Sequence, residues 1–226
     1  MNLERPTKEQ VRRLPLYVGL SITNIDIIET ELDATKALKE LEAEVCLGFD
    51  TESKLIFRKG QTSPGPTLIQ LATENKAFLF PTKFPFALSS AGAILRNPNI
   101  QKVGFGIKGD NKELRNKLNI NIVNTQDLSV ELQHIVGDEN QIGARAAVAM
   151  VLKSRLGKGA QKSNWGQYPL HEHQILYAAN DAHSAICVKH LLTGSGLFKN
   201  IAFSSIYTHS SKNNVPPSTK VVEPSR

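Results

Sequence analysis

Nowhere among its 226 residues does the chain hold an unbroken apolar run of about 18, the length a membrane-spanning helix needs, so no membrane partner is expected. The opening stretch MNLERPTKEQVRRLPL is charged and lacks the apolar centre of a signal peptide, so no secretory leader is expected. Cysteine is scarce: only Cys46 and Cys187 occur, far apart and each inside an apolar segment. They read as two free buried thiols in a reducing compartment, which places the chain inside the cell, cytoplasmic or, in a eukaryote, nuclear. His171 and His173 have no Cys or His cluster near them and read as surface residues. No internal repeat is present, so a solenoid is not expected.

What the chain does have is an ordinary globular composition, 40% hydrophobic and 21% charged, with a net charge of +6. A basic chain suits a polyanionic partner, but charge by itself does not name one. The length allows one domain with a substantial core. Patterned sequence fills residues 16–203, after an N-terminal extension of residues 1–15. Residues 204–226 are polar and rich in Ser and Pro, and are expected to form a disordered tail because they cannot bury enough surface to offset ordering entropy.

Within the domain, NIDIIET alternates as a strand, and ELDATKALKELEAE places Leu32, Ala34, Ala37, Leu38 and Leu41 on a helix face. EVCLGFDTE is a mostly apolar run of strand length, and TLIQLATENKAFLFP reads as two strands with a turn at Glu74 and Asn75. FALSSAGAILRN is helical up to Pro98. Strand and helix then alternate: IQKVGFG, DNKELRNKL, NIVNTQDL, LSVELQHIV, and a helix ARAAVAMVLKSRL ending at Gly157. A long helix over PLHEHQILYAANDAHSAICVKHLL follows, packed through Leu176, Ala179, Ile186 and Leu191. A strand-rich first half leading into alternating elements indicates an α/β domain with a mixed sheet.

Two kinds of motif could carry chemistry. Gly104-x-Gly106-x-x-Gly109 has the spacing of a dinucleotide-binding turn, with Asp127 available for a ribose. Against that reading, the preceding strand is short, polar at its start, and follows about 100 residues of other structure, whereas such a unit usually opens its domain. Carboxylates form the second kind. Asp50 and Glu52, two apart on a strand, point to one face, and two like charges at the end of a buried strand are costly unless a cation neutralises them. Tyr177 and Asp181 stand one turn apart on a core-packed helix. Asp110 follows the glycines at a helix start, where an N-cap role explains it by itself.

Taken in order, Asp50-x-Glu52, then Gly104-x-Gly106-x-x-x-Asp110, then Tyr177-x-x-x-Asp181 resemble the DEDDy group of 3′–5′ exonucleases, which includes ribonuclease D and the Werner-syndrome exonuclease domain. The likeness runs over roughly residues 20–195 and extends to GFDTESKLIFRKG, KVGFGIKGDNKEL and KSNWGQYPLHEHQILYAANDAHSAICV. The resemblance implies a ribonuclease H-like fold, a five-stranded mixed sheet with helices on both sides. It implies that Asp50, Glu52, Asp110 and Asp181 bind two divalent cations, Mg²⁺ or Mn²⁺, and that Tyr177 aims the attacking water. The implied reaction removes 5′-mononucleotides from single-stranded 3′ ends of DNA or RNA. A sister group carries His five residues before the last Asp; that position is Leu176 here, so the tyrosine form applies. GFDTESK and RKGQ lie nearer the Werner branch and imply DNA or mixed use. A catalytically silent nucleic-acid-binding module on the same fold is the alternative, followed by the dinucleotide-binding oxidoreductase. The extra helical domains that ribonuclease D carries after its catalytic domain have no counterpart in these residues, so substrate grip is expected from the domain itself, its tail or an oligomeric partner. Thr51 and Phe105 beside the acids, and Lys158, Lys162 and Trp165 in the basic segment KSRLGKGAQKSNWG with Lys153 and Arg155, are candidates for nucleotide contact. Packing in the core is the competing reading for Trp165.

Overall fold

Six strands pair into one mixed sheet around the two segments that the sequence makes most apolar. The computed structural model describes residues 3–54, 60, 62–157 and 159–197. Lys158, most of the RKGQ stretch and the expected tail at 204–226 lie outside the described residues. The elements run α1 (Lys8–Arg13), β1 (Ile25–Ile27), α2 (Glu31–Glu42), β2 (Cys46–Ser53), β3 (Pro66–Ala72), β4 (Ala77–Pro81) and α3 (Pro85–Arg96). They continue with β5 (Gln101–Gly104), α4 (Lys108–Leu118), β6 (Thr125–Asp127), α5 (Leu128–Val136), α6 (Ala144–Val151) and α7 (Glu172–Gly194).

The sheet order is β1-β4-β3-β2-β5-β6, with β2–β3 and β3–β4 antiparallel and the other neighbours parallel. The five-stranded expectation is corrected to six: Ile25–Ile27 lies parallel along the free edge of β4 and satisfies backbone groups that would otherwise face solvent. Leu47, Phe49, Ile69, Leu71, Phe78 and Phe80 face one way, under α2, α3 and α4. Leu68, Ala72 and Leu79 face the other way, against Ala178, Ala179 and Ala182 of α7. Val103 on that side packs with Leu128, Leu132, Val148 and Ile186 from α5, α6 and α7.

Local chemistry sets most element ends. Thr30 and Asp33 cap α2 reciprocally, each side chain accepting the other's amide at 3.1 Å, a motif that contributes about 1 kcal/mol. Leu32, expected on the packed face, is 62% exposed instead, because the buried stripe is Ala34, Ala37 and Leu41. The helix expected to run to Gly157 stops at Val151. Lys153 turns into the left-handed region at φ 52° and donates its ammonium to the Met150 carbonyl at 2.8 Å, closing the helix end. Arg155 then bridges to Leu16 and donates its Nε to the Leu14 carbonyl at 2.9 Å, tying the N-terminal segment to the domain. Leu191 is exposed too; α7 meets β3 and β4 through Ala178, Ala179 and Ala182, and it packs toward α5 and α6 through Ile186, Val188 and Leu192.

The packing of α7 on the sheet has one tight point. A Cβ added at Gly48 would lie 1.9 Å from the Ala182 carbonyl oxygen, so α7 rests its backbone directly on β2. Gly109, by contrast, has open space around it inside α4. Gly48→Ala is expected to lower unfolding free energy by about 1–3 kcal/mol or more through overpacking. Gly109→Ala is expected to be neutral or stabilising by up to about 1 kcal/mol, because alanine suits a helix better. Urea denaturation of both variants checks this; equal effects would contradict the tight contact.

Candidate active site

The C-terminal end of β2 carries Asp50 and Glu52 on its α7-facing side, as their two-residue spacing requires. Because α7 touches β2 at Gly48, Asp181 arrives beside that strand end, and Tyr177, one turn earlier, places its hydroxyl within hydrogen-bonding reach of the Asp181 carboxylate. Asp50, Glu52, Tyr177 and Asp181 line one cleft of about 610 Å³ together with Phe49, Phe105, Arg5, Arg145 and Gln161. Asp110 approaches from the first turn of α4, where the helix N-terminus favours a negative charge. It is not the N-cap that its sequence position suggested. Ile107 occupies that position without a side-chain cap, and the Asp110 carboxylate accepts a short hydrogen bond from the Thr51 hydroxyl.

These acids repel one another. Burial raises Asp50 well above the usual carboxylate range, and the neighbouring charges of Asp181, Asp110 and Glu52 add to the rise. Glu52 is pushed from 4.5 to about 8 by burial and by Asp181 and Asp110. Asp181 is raised to about 6, by burial, while the Tyr177 hydroxyl and the Arg145 charge hold it back. Asp110 is raised by burial against the opposing Thr51 bond. The Tyr177 phenol is driven far up by burial and by Asp181 and Glu52, so it keeps its proton.

Gln70 lies opposite Asp50 on β3, fully buried, and among the described residues neither of its amide atoms has a hydrogen-bond partner. Orphaned buried polar atoms are rare, and here they border the carboxylates. Among the described residues no three His, Cys, Asp or Glu side chains already converge on one metal-sized point. The site is a set of facing carboxylates and not a preformed cage. Its donors are all hard oxygens, the set that suits Mg²⁺ or Mn²⁺, and a cation would relieve the repulsion just described. The residues therefore fit divalent metal.

Of the expected nucleotide contacts, Phe105 lines the cleft. Thr51 does not; it holds Asp110. Lys162 is exposed and outside the cleft lining, and Lys158 lies outside the described residues. Trp165 is 2% exposed, its ring 6.1 Å from that of Tyr177, so it supports the tyrosine from the core side. Lys153 and Arg155 serve backbone carbonyls. Sequence reasoning missed Arg145, Gln161 and Arg5. The one charge in the otherwise apolar helix ARAAVAMV was a legible signal for Arg145; Arg5 had none. The glycine triplet is accounted for structurally. A Cβ at Gly104 would meet the Phe49 carbonyl oxygen at 2.6 Å, and Gly106 takes φ +70°. Asp127, the residue a ribose would need, accepts from the Gly106 and Ser129 amides, both at 2.9 Å.

Comparison with known proteins bears on the family and the fold. A sequence profile describing a 3′–5′ exonuclease matches residues 25–195. The Mus musculus bifunctional 3′–5′ exonuclease/ATP-dependent helicase WRN is 29% identical over 160 residues, covering 66% of this chain and 11% of that protein. The Aedes aegypti Nibbler EXO domain superposes with a TM-score of 0.68 at 22% identity, over 77% of this chain and 89% of that one. Trypanosoma brucei RNase D in complex with RNA U12 gives 0.68 at 17% identity, over 85% and 66%. The sheet with its flanking helices is ribonuclease H-like. The chain spans 11% to 49% of the lengths of the first curated relatives that it matches.

The crowding has a signed consequence. Glu52 ordinarily titrates at 4.5 and here near 8, so the metal-free fold keeps a proton that the unfolded chain releases in between. Stability from this group is whole below 4.5 and is lost as pH rises through about 8. Melting temperature in EDTA is therefore expected to fall across that window. Mg²⁺ or Mn²⁺ should restore it at the alkaline end, and Asp50→Asn should flatten the fall. A metal-free profile that rises toward pH 8 would contradict the electrostatics.

Proposed function

The chain belongs to the 3′–5′ exonuclease family, and on that premise we propose that it hydrolyses the terminal phosphodiester of a nucleic-acid strand and releases 5′-mononucleotides, aided by two divalent cations, Mg²⁺ or Mn²⁺. The observation that carries this reading is the meeting of Asp50, Glu52, Tyr177 and Asp181 in one cleft, with Asp110 at its edge. Asp50, Glu52, Asp110 and Asp181 would hold two such cations, which would supply Lewis acidity to the attacking water and to the departing 3′-oxygen. In the hydrolysis, a water oxygen bonds to phosphorus, the bond from phosphorus to the 3′-oxygen breaks, and that oxygen takes up a proton.

The side chains have separable roles. Asp50 sits centrally, raised by burial and by the charges of all three other acids, so its carboxylate would be among those that hold the cations. Thr51 fixes one Asp110 oxygen and so sets that carboxylate's orientation. Tyr177 keeps its proton across the working pH range, so its hydroxyl orients the attacking water and does not abstract a proton from it. Trp165 backs the tyrosine ring and limits its motion. Phe105 gives the cleft an apolar surface against which a terminal base can pack.

Incubating the protein with 5′-labelled single-stranded DNA and RNA in Mg²⁺, Mn²⁺ or EDTA tests the reading. A ladder shortening from the 3′ end and abolished by EDTA is expected. Asp50→Ala and Asp181→Ala should each lower turnover at least about a thousandfold, the scale of losing core electrostatic stabilisation. Tyr177→Phe should lower kcat by roughly ten- to a thousandfold with KM nearly unchanged, because only orientation is lost. Saturable oligonucleotide binding with no turnover in any metal would instead favour a silent binding module.

A further inference from the structure

Two arginines, Arg145 and Arg5, line the same cleft as the carboxylates. Arg145 comes from the first turn of α6, close enough to Asp181 to hold down its pKa. Its Nη2 donates to Gln161 Oε1 at 2.6 Å. Gln161 is neutral, so it fixes the guanidinium without cancelling the charge, and the bond uses only one of the N–H donors in the fork. Arg5 comes from the N-terminal segment, anchored beside α5 and α6 by the buried Leu3. Its partner is Asp138, 3.0 Å away, with the side chains 41% and 20% exposed. An ion pair that keeps this contact with solvent is weakly held, so Arg5 can exchange it for another anion. Arg5 lies outside the residues 25–195 that match the exonuclease profile.

A nuclease cleft faces a difficulty that these arginines answer. Its own carboxylates repel the polyanion that it must admit, and the cations neutralise only the region around the scissile bond. We propose that Arg145 and Arg5 form a clamp for successive phosphodiesters of the substrate strand, Arg145 gripping the linkage nearer the 3′ end and Arg5 one farther along. This rests on the exonuclease reading and adds a specificity: the enzyme needs a strand continuing past the terminal nucleotide. A guanidinium fork binds phosphate oxygens with directional, charge-assisted bonds. The cleft thereby has an acidic wall for the reacting phosphate and a basic wall for its neighbours.

Binding is measured by fluorescence anisotropy in Mg²⁺, using the Asp50→Ala chain as a non-cleaving background. The probe is a 5′-labelled single-stranded oligonucleotide carrying one neutral methylphosphonate, moved linkage by linkage from the 3′ end. Adding Arg145→Ala should weaken binding of the all-phosphate strand about ten- to a hundredfold, the scale of one charge-assisted contact. The salt slope should drop by about one. At one linkage the methylphosphonate should cost the Arg145→Ala chain nothing further, and Arg5→Ala should show the same coupling at a linkage farther from the end. Arg145→Lys, which keeps the charge, should recover part of the loss, and thermal melting shows whether each variant is folded. Additive losses at every linkage would make the arginines diffuse counter-charges to the acids and overturn the clamp. Cleavage by the wild-type chain tests the exonuclease reading separately, so cleavage without coupling sinks the clamp alone.

Discussion

The backbone contact between β2 and α7 is the constraint on which the rest of the site depends. With no side chain at Gly48, the Ala182 carbonyl can sit where a Cβ would be, and the neighbouring Ala178 and Ala179 keep the helix low on the sheet. Asp181 is adjacent to that point in sequence, so lowering the helix delivers its carboxylate to the end of β2. Tyr177 follows by helical periodicity. On the strand, period-two alternation turns Asp50 and Glu52 toward the same helix. One missing methyl group thus couples packing to chemistry.

Bringing these acids together costs stability, and the rest of the structure is arranged to bear it. A large two-faced core supports the sheet from both sides, while Thr51 and the first turn of α4 accommodate Asp110. The raised pKa values of Glu52 and Asp181 express a demand for positive charge, which Arg145 meets in part at Asp181 and which divalent cations would meet under the proposed function. Functional sites commonly violate the rules that the remaining fold obeys. Here the violation is local, confined to one end of the sheet.

Much of this was legible before the structure. Apolar runs located the central strands, and the spacing of Asp50, Glu52, Tyr177 and Asp181 singled out side chains that line one cleft, because short-range periodicity determines which side chains share a face. Other features depended on contacts that sequence spacing does not encode. Asp110 read as a helix cap because its bond to Thr51 joins residues far apart in the chain. The pattern of ARAAVAMVLKSRL carries a helix on to Gly157, but Lys153, a residue with no special preference for it, takes a left-handed turn, and Arg155 two residues on is tied to the N-terminal segment at Leu14. Gly109 completed a recognisable glycine spacing that has no role in packing, whereas Gly48, unremarked in sequence, is the one that matters most. The basic segment KSRLGKGAQKSNWG reads as the source of positive charge, but its Lys153 and Arg155 donate to backbone carbonyls, and the cleft is lined by Arg5 and Arg145 from outside it.

The central claim is that four carboxylates gathered by this contact hold two divalent cations beside a nucleotide. Counting bound Mn²⁺ by electron paramagnetic resonance at pH 8, with a 5′-mononucleotide present, tests it directly. Two saturable sites per chain are expected for the wild type, with at least one lost in Asp50→Ala and in Asp181→Ala. Absence of saturable binding, or an unchanged count in both variants, would contradict the account.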